Sequence, residues 1–291
     1  MTISAKIILG SISTKTKETI TTFELTYPRF IHSELMTHRV FSRNSASSRA
    51  IPFKKMLSRI KNDMAMPIHW GANMSGMQAK QEVSSVKKFF AKFLWVLTGR
   101  IVLFLAWLMH SLGVHKQVVN RMVEPWSHIT VILTTSELEN FFELRDHKDA
   151  QPEIQELARQ MKASVENYEY KKLSEGEWHI PFLTEAEKKQ LPLLHQLKVS
   201  VARCARVSYL NHDGSRSSLD EDFKLYDRLV GSLPLHASPT EHQATSIMNP
   251  NEKKYQGNLS GFIQFRKILE EKNLGMNTNW VAKIFSNHRT K

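Results

Sequence analysis

The sequence predicts an α+β protein in which a mixed or antiparallel sheet packs against helices. Residues 19–27 alternate, with Phe23, Leu25 and Tyr27 set against Glu24 and Thr26, the period-2 pattern of a half-buried strand. Residues 128–135, His-Ile-Thr-Val-Ile-Leu-Thr-Thr, are rich in β-branched side chains and read as a strand or extended segment. Helical patterns fill the intervals; Pro152 starts one that carries Ile154, Leu157 and Met161 on a single face. The 291 residues are enough for a sizeable core. They read as one domain, 1–291, in two sections, 1–165 and 196–271, separated by a charged, loop-rich stretch.

Taken in order, residues 3–9 form a first strand and Pro28 ends the second. Residues 30–41 have helical character, which places His38 and Arg39 near a helix C-terminus. A polar loop follows, closed by Ile51-Pro52, and a helix opens at Pro52. A connection bearing Gly, Met and Trp occupies 66–78. Residues 88–113 are the most apolar part of the chain, with Gly99-Arg100 between two runs of large apolar side chains. A membrane span needs roughly 20 apolar residues with few charges. Arg100 interrupts this run and Lys87, Lys88 and Lys92 crowd its front, so a buried helix pair or a subunit contact is expected, and a membrane is not. Lys116 to Glu124 is a further segment, containing Arg121. Ser136-Glu137-Leu138-Glu139 has capping-box spacing and opens a helix carrying Leu138, Phe141 and Phe142 toward a core, with Asn140 and Arg145 along it. Val199 to Tyr209 reads as a packed strand or strand end, 218–231 and 260–271 as helices, and 287–291 as a frayed basic tail.

Composition narrows function only coarsely. Forty Lys and Arg against 28 Asp and Glu give a charge of +12, which attracts nucleic acid, anionic membrane or phosphate-bearing small molecules alike. The single Cys204 excludes an internal disulfide and a multi-cysteine metal site, and suits a reducing cytosol. The first residues lack a secretory hydrophobic segment, so a cytoplasmic location is expected. His236, Glu241 and His242 are not spaced as His-Glu-x-x-His, and Ser238-Pro239 would break the helix that aligns them; no metal is expected. Cys204 sits among Val, Ala and Arg as a packed, structural residue. There is no Gly-rich dinucleotide or P-loop signature, and the dispersed basic residues match no nucleic-acid motif, so nucleic acid is not an expected partner. The densest functional inventory is Thr37 to Arg49, with three arginines, a histidine, an asparagine and four serines. Such a set grips phosphate or carboxylate oxygens, although a solvated basic loop has the same composition.

Four motifs together resemble the flavin-dependent thymidylate synthase family. His38-Arg39-x-x-Ser42-x-Asn44-x-x-Ser47-x-Arg49 resembles its Arg-His-Arg signature with the serine-rich loop. Phe141, Leu144-Arg145 and Ala150-Gln151-x-Glu153-Ile154 are similar to its second motif, and Ala205-Arg206-Val207-Ser208-Tyr209 and His236-x-Ser238-Pro239-x-Glu241-His242 to the remaining two. The last two follow the signature here, where the usual family order has them precede it. A circular-permutation-like rearrangement is inferred, and it requires the segment after His242 to lie near the start of strand 19–27. Thr37 stands in place of the signature's first arginine, Ser45 in place of a glutamate, and Thr134 and Ser136 in place of an Asn and an Arg that help hold flavin.

The resemblance implies reductive methylation of dUMP to dTMP, with FAD as cofactor and NADPH and 5,10-methylenetetrahydrofolate as co-substrates. By the same resemblance Arg145 is the catalytic residue, beside the uracil edge. Glu34, Ser47, Ser48, Arg49, Arg121 and Arg145 bind dUMP. His38, Arg39, Val40, Asn140, Leu144, Ser208, Ser238 and Glu241 bind FAD, and His236 lies on the folate side. A homotetramer with flavin sites between subunits is implied as well. The rival classes are a related pyrimidine-nucleotide hydroxymethylase and a non-catalytic basic protein that binds nucleotide or nucleic acid on the same fold.

Overall fold

The structure is a computed structural model that describes residues 3–76, 78–79, 81–207, 217–231 and 235–285. Strands β1 (Ser4–Ser13) and β2 (Thr19–Pro28) form an antiparallel hairpin. After them come α1 (His32–Met36), β3 (Ser42–Ser45), α2 (Phe53–Asn62), α3 (Ser85–Ser111), α4 (Lys116–Met122) and β4 (His128–Thr135). Helices α5 (Glu139–Arg145) and α6 (Pro152–Glu166) precede the short strands β5 (Lys171–Leu173) and β6 (Trp178–His179). The rest comprises α7 (Glu185–Gln190), α8 (Leu193–Ala205), α9 (Leu219–Val230), β7 (Ala244–Ser246), β8 (Phe262–Gln264), α10 (Phe265–Asn273) and α11 (Asn279–Phe285). Five strands form a sheet in the order β3-β4-β2-β1-β5, antiparallel except for the β1–β5 pair, and β6-β7-β8 form a second, antiparallel sheet. The fold is α+β with a mixed sheet, as expected.

Strand periodicity gives the large sheet two unlike faces. Register pairs Phe23 with Leu133, Leu25 with Val131 and Tyr27 with Ile129, and this apolar face packs on Phe141 of α5 and on Ile154, Leu157 and Met161 of α6. The other face turns the buried hydroxyls of Ser11, Thr22 and Thr134, beside Ile20 and Ile132, toward the rest of the chain. There Ser11 bonds His179 Nδ1 (2.9 Å), His179 Nε2 bonds Thr22 (2.8 Å), Thr22 bonds Thr134 (2.6 Å), and Thr134 bonds His242 Nδ1 (2.8 Å). With both imidazoles neutral, the Thr22 and Thr134 hydroxyls each donate one way and accept the other, and the chain ends at His242 Nε2, which is buried without a partner among the described residues. Beside it Ile20, Leu173, Ala244, Leu259 and Phe262 form an apolar cluster. Ala244 thus packs with Ile20, the adjacency that the inferred rearrangement requires.

Several elements depart from expectation. The 30–41 helix stops at Met36, because the Thr37 hydroxyl donates to Glu34 O (2.7 Å) and Arg43 Nη1 donates to the carbonyls of Met36 (3.1 Å) and His38 (3.0 Å). His38 and Arg39 therefore lie beyond it. The polar loop contains β3, which covers the outer edge of β4. The Ser136 capping box does not form: the Glu137 N–H goes to the Thr135 hydroxyl (3.0 Å), and α5 begins at Glu139 without a side-chain cap. Val199 to Ala205 is the end of helix α8, not a strand; so short an apolar run is ambiguous by periodicity. Residues 88–113 form no buried pair. They belong to the single helix α3, most of which is exposed. The basic tail at 287–291 lies outside the described residues.

Burial pushes both seam histidines down from an ordinary 6.5 to about 3, with Lys188 and His242 adding repulsion at His179. The unfolded chain takes up protons on these residues below pH 6.5 that the folded chain refuses until near pH 3. Their contribution is therefore complete above that window and is lost as pH falls through it, by about 1.4 kcal/mol per pH unit for each histidine. The urea midpoint should drop clearly between pH 7 and about pH 5; an unchanged midpoint would contradict a neutral, buried pair.

Candidate functional site

Three groups of polar side chains gather around the Thr37–Arg49 stretch. The first joins it to the end of α5. His38 is buried between the rings of Phe41 (centroids 5.7 Å, stacked) and Phe141 (4.9 Å, edge-on). Arg145 Nε donates to His38 Nε2 (2.9 Å), and its Nη2 donates to Thr37 Oγ1 (3.1 Å). His38 accepts at Nε2 and so carries its proton on Nδ1. Burial, then the Arg145 and Arg43 charges, lower its pKa and keep it in this neutral form. Glu34 is near enough for Arg145 to oppose the rise in its pKa that burial causes. The structure thus brings together Glu34, His38 and Arg145, on two motifs more than a hundred residues apart.

The second group is built on α4. Asn120 is fully buried, and its Nδ2 donates to the carbonyls of Ser48 (2.7 Å) and Ile51 (2.9 Å). Lys116 Nζ donates to Ala50 O (3.1 Å). These bonds pin the 48–51 turn against the helix, so that Arg121, next to Asn120, and Arg49 are held on neighbouring elements with both side chains exposed. Ser47 is exposed and Ser48 buried. Asn120 and Lys116 were missed in sequence; an asparagine following two valines on a helix was the available signal.

The third group surrounds a cavity of about 310 Å³ lined by Arg39, Arg43, Glu241, Asn258, Arg266 and Lys267, among others. Gln264 Nε2 donates to Ser42 Oγ (3.1 Å), to Asn258 Oδ1 (2.9 Å) and to Glu241 O (3.1 Å), and Asn258 Nδ2 donates to Val40 O (3.1 Å). Gly257 permits this: its φ is +59°, and a Cβ there would lie 2.3 Å from Gln264 Oε1. Ser238 Oγ donates to Asn44 Oδ1 (3.1 Å), and Asn44 Nδ2 donates to Cys204 O (2.6 Å). Glu241 is paired with Arg266. Glu270 pairs with Arg266 (2.8 Å) and Lys267 (2.9 Å) from outside the lining, and the four cations still exceed the two carboxylates, a surplus that suits a phosphate or diphosphate. The volume lies at the low end of ligand pockets, roughly 300–1,000 Å³. Asn258, Gln264, Arg266 and Lys267 come from a stretch in which sequence reading found no motif.

Other expected residues lie apart from this cavity. Asn140 and Leu144 are exposed on α5, and His236 is exposed before the 238–241 turn; none lines it. Val40 contributes its carbonyl. Ser208 lies outside the described residues. Thr134, at a flavin-holding position by resemblance, is instead buried between Thr22 and His242. Arg206 of the Ala-Arg-Val motif is tied to the fully buried Asp222 (2.9 Å). Cys204 is buried and its thiol pKa is raised by burial, which disfavours the thiolate a nucleophile would need.

The model of the thymidylate synthase complementing protein family matches residues 10–168, more than half of the chain. The chain belongs to this family, that of the flavin-dependent thymidylate synthases. Among solved structures it is similar to a UMP/dUMP methylase, PolB, from Streptomyces cacaoi bound with 5-Br UMP (15% identity, 56% of this chain and 88% of that one, TM-score 0.47). The same methylase bound with 5-Br dUMP gives 15% identity, 56% and 89% coverage and a TM-score of 0.45. The flavin-dependent thymidylate synthase ThyX from Helicobacter pylori, complexed with FAD and dUMP, gives 19% identity, 50% and 68% coverage and a TM-score of 0.34. No curated protein matches the sequence.

Asn120→Ala should cost about 1–3 kcal/mol by leaving two carbonyls without their donor. It should also make the 47–51 turn more susceptible to proteolysis than the rest of the chain. Thermal melts and limited digestion would check this, and wild-type values in both would refute the clamp.

Proposed function

We propose that the chain is a flavin-dependent thymidylate synthase that converts dUMP to dTMP by reductive methylation, with methylenetetrahydrofolate as carbon donor and NADPH as reductant. The observation that carries this reading is the Arg145–His38–Thr37 knot, which ties the signature loop to the Leu-Arg motif. FAD, when bound and reduced, supplies the hydride. The donor set around the 310 Å³ cavity fits its diphosphate, and Arg39, Arg43 and Arg266 would hold it.

Arg145 is held through Nε and Nη2, which fixes the plane of its guanidinium. Its other N–H groups have no partner among the described residues and are available to the uracil edge. A guanidinium stays charged at any working pH, so it stabilises the deprotonated ring and makes C5 a better carbon nucleophile. The neutral His38 contributes by accepting from Arg145; protonation would replace that bond with repulsion. Arg49 and Arg121, with Ser47, would grip the nucleotide phosphate from the clamped turn. In this reading the whole chain is one catalytic unit, assembled as a homotetramer in the cytoplasm, with His236 toward the folate.

A second reading, a hydroxymethyl product on the same pyrimidine, is favoured by the placement of Thr134, which turns away from a flavin-holding role. Product analysis with dUMP, methylenetetrahydrofolate and NADPH separates the two. Purified protein incubated with FAD and then freed of unbound flavin should be yellow and bleach with NADPH under anaerobic conditions. Arg145→Ala should keep the flavin spectrum and lose turnover by roughly 10²–10³-fold. Undiminished turnover in that variant would refute the role of Arg145, and protein that stays colourless would favour a non-catalytic binding protein.

A further inference from the structure

Helix α3 presents a surface that the proposed reaction does not use. It is 27 residues long, roughly 40 Å at 1.5 Å per residue. Its most apolar window has a mean hydropathy of 1.8, long and apolar enough to cross a membrane by length and composition, and only 17% of that window is buried. One side is seated on the protein. Leu103 and Ala106 pack with Phe53, Met56 and Val119 of α2 and α4, and Gly99 admits the Trp126 indole, where a Cβ would lie 2.8 Å from Cδ1. The opposite side is open: Phe89, Phe90, Phe93, Leu94, Ile101 and Phe104 are each 50–68% exposed. At 3.6 residues per turn, the exposed apolar positions from Val86 to Leu108 sweep an arc of roughly 160°. More than half of the large exposed apolar side chains among the described residues sit on this helix.

Charge indicates what covers that face. No Asp or Glu occurs between Glu82 and Glu124, whereas Lys87, Lys88, Lys92, Arg100, Lys116 and Arg121 do. A groove of about 610 Å³ runs beside α3 over Leu57, Val96, Leu103 and Phe104, and the charged groups lining it are Lys61 and Arg100. Lys88 is paired with Glu82 (2.7 Å), but two copies meeting through α3 would bring Lys87, Lys92 and Arg100 of each together with no carboxylate from either helix to pair them. A single span would carry Arg100 toward the bilayer midplane and would need lipid on the side already packed against α2 and α4. A helix lying in the interface suffers neither cost: its apolar arc enters the acyl region, the side packed on α2 and α4 stays out of lipid, and Arg100, near one margin of the arc, extends its guanidinium back to headgroup level.

We propose that α3 docks the protein on an anionic lipid bilayer, lying in the plane of the interface, with Lys61 and Arg100 holding a lipid phosphate at the mouth of the groove. This replaces the expectation from sequence that a membrane is not a partner. It stands independently of the reaction assigned to the nucleotide site.

The test is flotation of the full chain with vesicles of phosphatidylcholine alone or of equimolar phosphatidylcholine and phosphatidylglycerol. Binding to the anionic vesicles, weakened by salt and accompanied by a blue shift of tryptophan emission, is the expected result. The triple variant Phe89→Gln/Phe93→Gln/Phe104→Gln alters positions already exposed. It should keep the wild-type circular dichroism and bind at least about tenfold more weakly, a loss of about 1.4 kcal/mol. Lys61→Gln/Arg100→Gln should remove the preference for anionic over zwitterionic vesicles. The proposal is overturned if the wild-type chain floats with neither vesicle, or if the triple variant binds as well as wild type. It is equally overturned if sedimentation shows α3 engaged in an oligomer that the triple variant dissolves while neither protein binds vesicles.

Discussion

Two neutral histidines buried against a threonine face determine how the halves of this molecule fit together. A half-buried strand normally shows one face to water, but here the polar face of β2 and β4 is covered by the C-terminal section. Buried hydroxyls need partners: His179 supplies one through each ring nitrogen, to Ser11 and Thr22, and His242 supplies one through Nδ1, to Thr134. Removing either partner would leave a hydroxyl stranded in a low-dielectric setting, which costs more than the bond is worth in water. The seam also orders the rest: with Thr22 and Thr134 locked, Ala244 meets Ile20, and the 238–242 turn lies where it can reach the signature loop.

The candidate site is assembled by hydrogen bonds to loops rather than by one rigid element. Arg43 holds the carbonyls that end α1, Asn120 holds those of the 48–51 turn, and Gln264 holds Ser42 together with the backbone of Glu241. Each of these side chains is a neighbour or a distant partner of an expected ligand-binding residue; Asn120 and Gln264 need not touch a ligand to act, and Arg43 also lines the cavity. The chemistry then falls to groups whose orientation has already been fixed, which is the condition under which electrostatic stabilisation is strongest. His38 illustrates the economy of the arrangement. Burial keeps it neutral, and neutrality makes it the acceptor that orients Arg145.

Helix α3 shows why an apolar helix need not be a core helix. Both of its sides are apolar, so its pattern carries no amphipathic signal, yet only one side finds protein to pack on. Arg100 and the three leading lysines argue against burial as much as against a span. The interface of an anionic bilayer accepts both features at once.

The sequence by itself determined the long strands, the apolar face of α6 and the four motifs, because these depend on local periodicity or on residues contiguous in the chain. The segment 128–135 was legible as strand or extended chain, and the strand has those bounds, since β-branched content acts locally. Arg145, His38, Arg39 and Glu241 could be picked out as candidates through their motifs. Only the tertiary structure decided the rest. The end of α1 depends on an arginine seven residues away, the absent capping box on a competing hydroxyl, and the fate of Thr134 on a histidine 108 positions later. Asn120, Asn258 and Gln264 could not be singled out because their importance lies in the carbonyls they reach, and a backbone carbonyl looks the same at every position of a sequence. The exposure of α3 was hidden for a related reason: hydrophobicity states that a face must be covered, and only three-dimensional packing shows that the protein itself leaves it bare.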